Sequence, residues 1–145
     1  MRWEFKGKDR FVKAVLAWIC AGHVLTGLVA LVSGQKGVRA GSMLYGASFE
    51  AHPQLRYILR PLGAYILSLA FLQGMAVTDP RRYKAVIDAT LAVFGMRQLQ
   101  RIAFAGEVSH TFGIAPTRHW LMNAYFLTLA LLLLIGRLKL ERDAA

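Results

Sequence analysis

Apolar residues in this chain fall in long unbroken blocks, not in the alternation of a half-buried strand. Four blocks reach the length of a membrane crossing: about 11–32, 57–78, 85–105 and 119–136, the last built around the run LTLALLLLI. A hydrocarbon core ~30 Å thick is crossed by about 20 mostly apolar residues rising ~1.5 Å each. Backbone in lipid has to satisfy its own hydrogen bonds, so each block predicts a helix. The alternation that would mark a small barrel is absent. The expected fold class is all-α: an integral membrane four-helix bundle forming one domain over residues 1–145. A signal peptide is the rival reading of the first block, because Arg2, Lys6, Lys8 and Arg10 flank it. The block exceeds the length of an h-region and no small-residue cleavage pattern follows, which predicts a retained helix.

The connections supply an orientation. Arg2, Lys6, Lys8 and Arg10 precede the first block, Arg81, Arg82 and Lys84 lie in the turn DPRRYK, and Arg137, Lys139 and Arg142 lie in the tail. With four spans these three segments share a side, and the other side holds Lys36, Arg39, Arg56 and Arg118. Ten basic residues against four predict cytoplasmic termini by the positive-inside rule. The short turn opening with Asp79-Pro80 predicts an antiparallel hairpin of the second and third spans. The connection from Ser33 to Arg56 is long, and its stretch SMLYGASFEAH predicts a short interfacial helix. A second outer connection, GEVSHTFGIAPTRH, carries Glu107, His110 and His119.

Composition narrows the classes further. Of 145 residues, 56% are hydrophobic and 18% charged, with a mean hydropathy of +0.41. Such a chain is too apolar to be disordered. One cysteine, Cys20, excludes a disulfide framework and a C-x-x-C redox pair. The excess of 18 Lys+Arg over 8 Asp+Glu reads as topology and attraction to anionic lipid, not as a nucleic-acid surface.

Ionisable groups at membrane depth carry the functional signal. The third span, AVIDATLAVFGMRQLQRIAFA, holds Asp88, Arg97, Gln98, Gln100 and Arg101. At 100° per residue, Thr90, Arg97, Gln100 and Arg101 share one face, opposite Leu91, Gly95, Leu99 and Ile102. Arg97 lies roughly 18 Å from the inner end of its helix, and His23 lies at the same depth on the first. Tyr65 and Asn123 come to a similar level, Arg60 and Arg101 sit nearer the outer face, and Glu50, His52 and Glu107 fall at the outer mouth. These residues predict a cationic, hydrogen-bonding pocket in the outer half of the bundle. Either it binds an anionic or carbonyl-bearing lipid-soluble ligand, such as a quinone or a lipid head, or its arginines serve as packing glue and snorkel to headgroups. His23 shares a face with Thr26, Gly27 and Ala30, which is the pattern of a close helix interface. Asp88, near the inner surface, is expected to be solvated or paired with Arg81 or Lys84.

No partner histidine lies at the depth of His23, which speaks against a bis-histidine haem. His52, His110 and His119 match no zinc or di-iron spacing and read as solvated loop residues, so no metal is expected. No Ser/His/Asp set, phosphate loop or H-E-x-x-H occurs.

Several short motifs point to a family. Arg60 and Gly63 open the segment RPLGAYILSLAFLQGMAV, DPRRY follows at the turn, FGMRQLQRI lies in the third span, and Gly113, Ile114, Ala115 and Pro116 precede the fourth. From about Tyr57 onward the chain resembles small four-helix membrane proteins of the DoxX-like and BphX-like type, and its layout is similar to that of the ergosterol-biosynthesis scaffold protein. Some bacterial relatives are expected to carry an acid in the fourth helix, where this chain has Asn123. The resemblance implies accessory or scaffold work rather than catalysis, and its DoxX side implies a link to quinone-coupled oxidation. The expected function is a non-catalytic accessory subunit binding membrane partners, lipid or a second copy of itself. The alternatives are a quinone- or lipid-binding redox component and a small transporter or channel.

Overall fold

The structure, a computed structural model, describes residues 5–32, 35–48 and 52–142. Those residues form six helices and no strand: α1 (Phe5–Leu31), α2 (Gln35–Tyr45), α3 (Pro53–Thr78), α4 (Lys84–Ala103), α5 (Ala105–Phe112) and α6 (Pro116–Arg142). α1, α3 and α6 are long and apolar enough to cross a membrane. α4 is not apolar enough on composition alone, since Lys84, Asp88, Arg97 and Arg101 fall within its 20 residues.

Local chemistry sets the helix ends. Pro53 and Pro116 begin α3 and α6, where a missing N–H costs nothing. Asp79, before Pro80, leaves the helical region at φ −141°, ψ 88°. Its Oδ1 accepts from the backbone N–H groups of Arg81 and Arg82 at 3.2 and 3.1 Å. α5 stops at Gly113, whose φ of +58° is left-handed and favours glycine. The short helix between the first two long ones lies over Gln35–Tyr45, earlier than the stretch SMLYGASFEAH, and Gly46 at φ +65° follows it.

α1 lies along α3, both α1 and α4 touch α6, and α3 touches α4. The α1–α3 crossing depends on two glycines. A Cβ at Gly63 would stand 2.5 Å from the Leu31 nitrogen and 2.7 Å from the Gly27 carbonyl oxygen. At Gly27 it would meet the Leu67 Cγ at 2.8 Å. Gly136 of α6 admits Val12 of α1 in the same way, with 2.8 Å to a would-be Cβ.

The two ends of the molecule differ. At one, Asp9 pairs with Arg81 at 3.3 Å and Lys13 donates to the Thr78 carbonyl at 2.8 Å. Asp88 pairs at this end too, but with Arg137 of α6 (2.8 Å) rather than with Arg81 or Lys84. α6 returns antiparallel to α4 and brings Arg137 between Asp88 and Glu141, the latter at 2.7 Å. At the opposite end Ser48 N–H donates to the Phe112 carbonyl at 2.7 Å, and Arg118 Nη2 donates to the Met43 carbonyl at 2.9 Å. These bonds tie together the connection between α1 and α3 and the connection between α4 and α6.

The interior changes character along the helices. Val12, Leu16, Ile19, Ala76, Ile87, Leu133 and Leu140 form an apolar core in the half nearest the 79–83 turn. Further along, His23, Gln73, Thr90, His119 and Asn123 are buried instead. The outside is apolar: Leu25, Tyr57, Tyr65, Phe71, Leu99, Leu121 and Leu127 are each at least half exposed. Polar groups inside and large apolar ones outside invert the arrangement that water selects. This is the arrangement of a membrane protein.

Candidate functional site

Above the apolar core, three helices are joined by a chain of side-chain hydrogen bonds. Thr90 of α4 donates its hydroxyl to the Val86 carbonyl at 2.8 Å. Gln73 of α3 donates from Nε2 to Thr90 Oγ1 at 3.2 Å, and its Oε1 faces His23 Nδ1 of α1 at 2.8 Å. All three side chains are buried. The His23 ring lies 6.0 Å from that of Phe94.

His23 also borders a groove of about 330 Å³ between α1, α4 and α6. Trp18, Thr26, Phe94, Arg97, Tyr125 and Phe126 also line it. Its surface is mostly apolar, and its polar groups are held in place. Trp18 Nε1 donates to Tyr125 Oη at 2.7 Å, joining α1 to α6. The Arg97 guanidinium lies 5.0 Å from the centre of the Phe126 ring, within cation–π range. Arg101 lies 5.7 Å from the same ring.

Next to the groove, the seam between α4 and α6 is polar. Gln98 Nε2 donates to the Asn123 carbonyl at 2.7 Å. His119 Nε2 lies 3.2 Å from the Arg101 carbonyl, which can only accept, so Nε2 carries the proton. Among the described residues, Gln98 Oε1, His119 Nδ1 and both side-chain atoms of Asn123 are buried without a hydrogen-bond partner.

The structure gathers only part of the expected site. His23 and Arg97 stand on the walls of one groove, and Arg101 and Asn123 lie on the adjoining seam. Gln100, which the helical wheel puts on the face of Arg97, is exposed. Arg60 and Tyr65 lie on the exposed side of α3, Tyr65 at 74% exposure. The side of α3 that meets α1 carries Gly63, Ala70 and Gln73 instead. His52 and Glu107 are exposed, and Glu50 lies outside the described residues. His119, expected in a solvated loop, is 1% exposed, because Pro116 starts α6 early enough to carry it inside.

Gln73, Trp18 and Phe126 join the site beyond the residues that the sequence pattern marks. Gln73 had a readable signal, as the one amide inside LAFLQGMAV. Trp18 and Phe126 had none, since an aromatic residue in an apolar span looks the same whether it faces lipid or a groove. No three His, Cys, Asp or Glu side chains among the described residues come together to hold a metal. A second groove of about 590 Å³ runs between α1 and α3, past Cys20, Leu67, Phe71 and Gly74. Cys20 donates there to the Ala70 carbonyl at 3.2 Å.

Comparison with protein families, curated proteins and solved structures finds no match to this chain.

Proposed function

We propose that the chain is a multi-pass protein of a bacterial inner membrane with both termini in the cytoplasm. In this reading α1, α3, α4 and α6 form a four-helix membrane bundle that acts as a non-catalytic accessory subunit. It binds membrane partners and holds a lipid-soluble ligand in the groove beside His23 and Arg97. The pairing of Asp88 with Arg137 supports α4 as a fourth span, because it sets the start of α4 beside the end of α6. Twenty residues of helix then run ~30 Å alongside α6, the thickness of the hydrocarbon core. Three of the four charges that lower the hydropathy of α4 are held by α6. Asp88 is paired, while Arg97 and Arg101 turn toward Phe126.

The observation that carries the ligand reading is the groove itself, apolar along its walls with His23 and Arg97 fixed at one side. Pockets between bundle helices with a few convergent polar groups are common ligand sites. Binding is favoured over catalysis because those groups are tied to neighbours: His23 to Gln73, Trp18 to Tyr125, Arg97 against Phe126. A second reading, a quinone-binding redox component, draws on Arg97 alone, whose N–H groups suit a carbonyl oxygen. Native mass spectrometry of the protein in mild detergent, with organic extraction of the same sample, tests both. The expected result is a stoichiometric small apolar molecule that is lost in Arg97→Ala. A quinone in that extract would favour the second reading. A preparation with neither ligand nor protein partner would remove the proposal.

A further inference from the structure

We infer that the groove between α1, α4 and α6 takes an apolar alcohol, with His23 Nε2 accepting the hydroxyl proton and Arg97 donating to the hydroxyl oxygen. The inference rests on the groove being a ligand site and names the chemistry it selects. It follows from the direction of the hydrogen bonds behind His23. The Val86 carbonyl can only accept, so the Thr90 hydroxyl proton is committed to it at 2.8 Å. Thr90 Oγ1 must then accept from Gln73, which places Gln73 Nε2 toward α4 at 3.2 Å and Oε1 toward His23 at 2.8 Å. An amide oxygen cannot donate, so His23 Nδ1 carries the proton. In the neutral ring Nε2 is left as a bare acceptor. Three helices thus fix one tautomer, and the ring so fixed borders the groove.

The candidates for the ligand's polar end sort on that acceptor. A ketone, quinone or carboxylate would satisfy Arg97 but would set lone pairs against the lone pair of Nε2. A metal ion would use Nε2 but needs further ligands, and no three His, Cys, Asp or Glu side chains converge among the described residues. A hydroxyl supplies a donor for His23 and an acceptor for Arg97, whose five N–H groups can serve it besides their other contacts. Phe94, Phe126 and Leu129 offer the apolar walls that the rest of the molecule needs. A volume of about 330 Å³ suits a molecule at the small end of the ligand range.

The test uses the full chain in nanodiscs, with Trp3→Phe and Trp120→Phe leaving Trp18 as the single indole at the groove. The probes are a chain-brominated 1-hexadecanol and its methyl ether, in which a methyl group replaces the hydroxyl proton and removes the donor. Contact with bromine quenches Trp18. The alcohol is expected to quench saturably, and the ether to bind about tenfold more weakly, the factor for a lost hydrogen bond of ordinary net strength. That preference should vanish in His23→Leu and shrink in Gln73→Met, which frees the tautomer. The central comparison needs no substitution at His23 or Gln73, so a variant that misfolds does not remove it. Saturable but equal quenching by both probes would overturn the hydroxyl preference and leave the groove standing as a ligand site. Quenching that rises without saturation for both, as from partition into the bilayer alone, would overturn the groove reading together with this one.

Discussion

Replacing Gln73 by leucine removes an acceptor from His23 and a donor to Thr90 in a single step. Both partners are buried, so they cannot turn to water for a substitute. Interhelical side-chain bonds in membrane proteins average about 0.6 kcal/mol and reach about 1.7, and this substitution breaks two. We expect Gln73→Leu to cost about 1–3 kcal/mol, read as a fall in the thermal midpoint in detergent. Asn123→Leu should behave differently. Its side-chain atoms are buried without a partner among the described residues, so leucine removes a desolvated amide and breaks no bond from it. Its one contact with Gln98 uses the backbone carbonyl, which leucine keeps. The midpoint of Asn123→Leu should stay within about 1 kcal/mol of the parent or rise; a fall as large as that of Gln73→Leu would mean that the amide has a partner in the membrane. The contrast also shows what was readable in the sequence. Polar side chains at membrane depth mark Arg97, Arg101 and Asn123 in the sequence, and the structure sets them near the groove. Gln73, which orders the interior, is legible there only as the one amide inside LAFLQGMAV.

The helices themselves were mostly legible, because length and hydropathy are properties of single segments. Their mutual placement was not. The expected match between His23 and Arg97 came from counting rise along each helix, and the groove contains both. The same count put Tyr65 at that depth, yet depth says nothing about which way a residue faces, and Tyr65 is on the exposed side of α3. Facing was decided by glycine. Gly27 and Gly63 let α1 and α3 approach backbone to backbone and so fix the rotation of each. We therefore expect Gly63→Ala to be severe. Its Cβ would meet the Leu31 nitrogen and the Gly27 carbonyl, and neither can swing aside as a side-chain tip can. Overpacking of this kind costs about 1–3 kcal/mol or more. Gly95→Ala on α4 is the control, because its Cβ meets nothing within 4 Å. Glycine lowers helix stability by about 0.5–1 kcal/mol relative to alanine, so Gly95→Ala should leave the midpoint unchanged or raise it. Parallel melts of the two variants separate a true close crossing from a general intolerance of larger residues.

At the scale of the whole molecule, α4 decides the topology. Taken by itself it is a 20-residue helix with four charges and lies below what composition would accept as a span. Packed in place, it runs antiparallel to α6, with Asp88 beside Arg137 at one end and Arg101 beside His119 toward the other. An apolar α6 that crosses the membrane would carry α4 across with it. The alternative, three crossings with α4 lying in the interface, puts the end of α6 on the opposite side from the start of α1. It would also separate Asp88 from Arg137 by the thickness of the bilayer. Single-cysteine labelling in intact cells distinguishes the two. In a Cys20→Ser background, Arg82→Cys, His110→Cys and Arg142→Cys are treated with a membrane-impermeant maleimide. Four crossings with cytoplasmic termini predict that only the position at 110 reacts from outside, because 82 and 142 share the end that holds the Asp9–Arg81 and Asp88–Arg137 pairs. External labelling at 142 with 82 protected would sink the four-span reading, and the groove between α1, α4 and α6 would lose one of its three membrane walls; labelling at 82 and 142 but not at 110 would keep four spans and reverse the orientation.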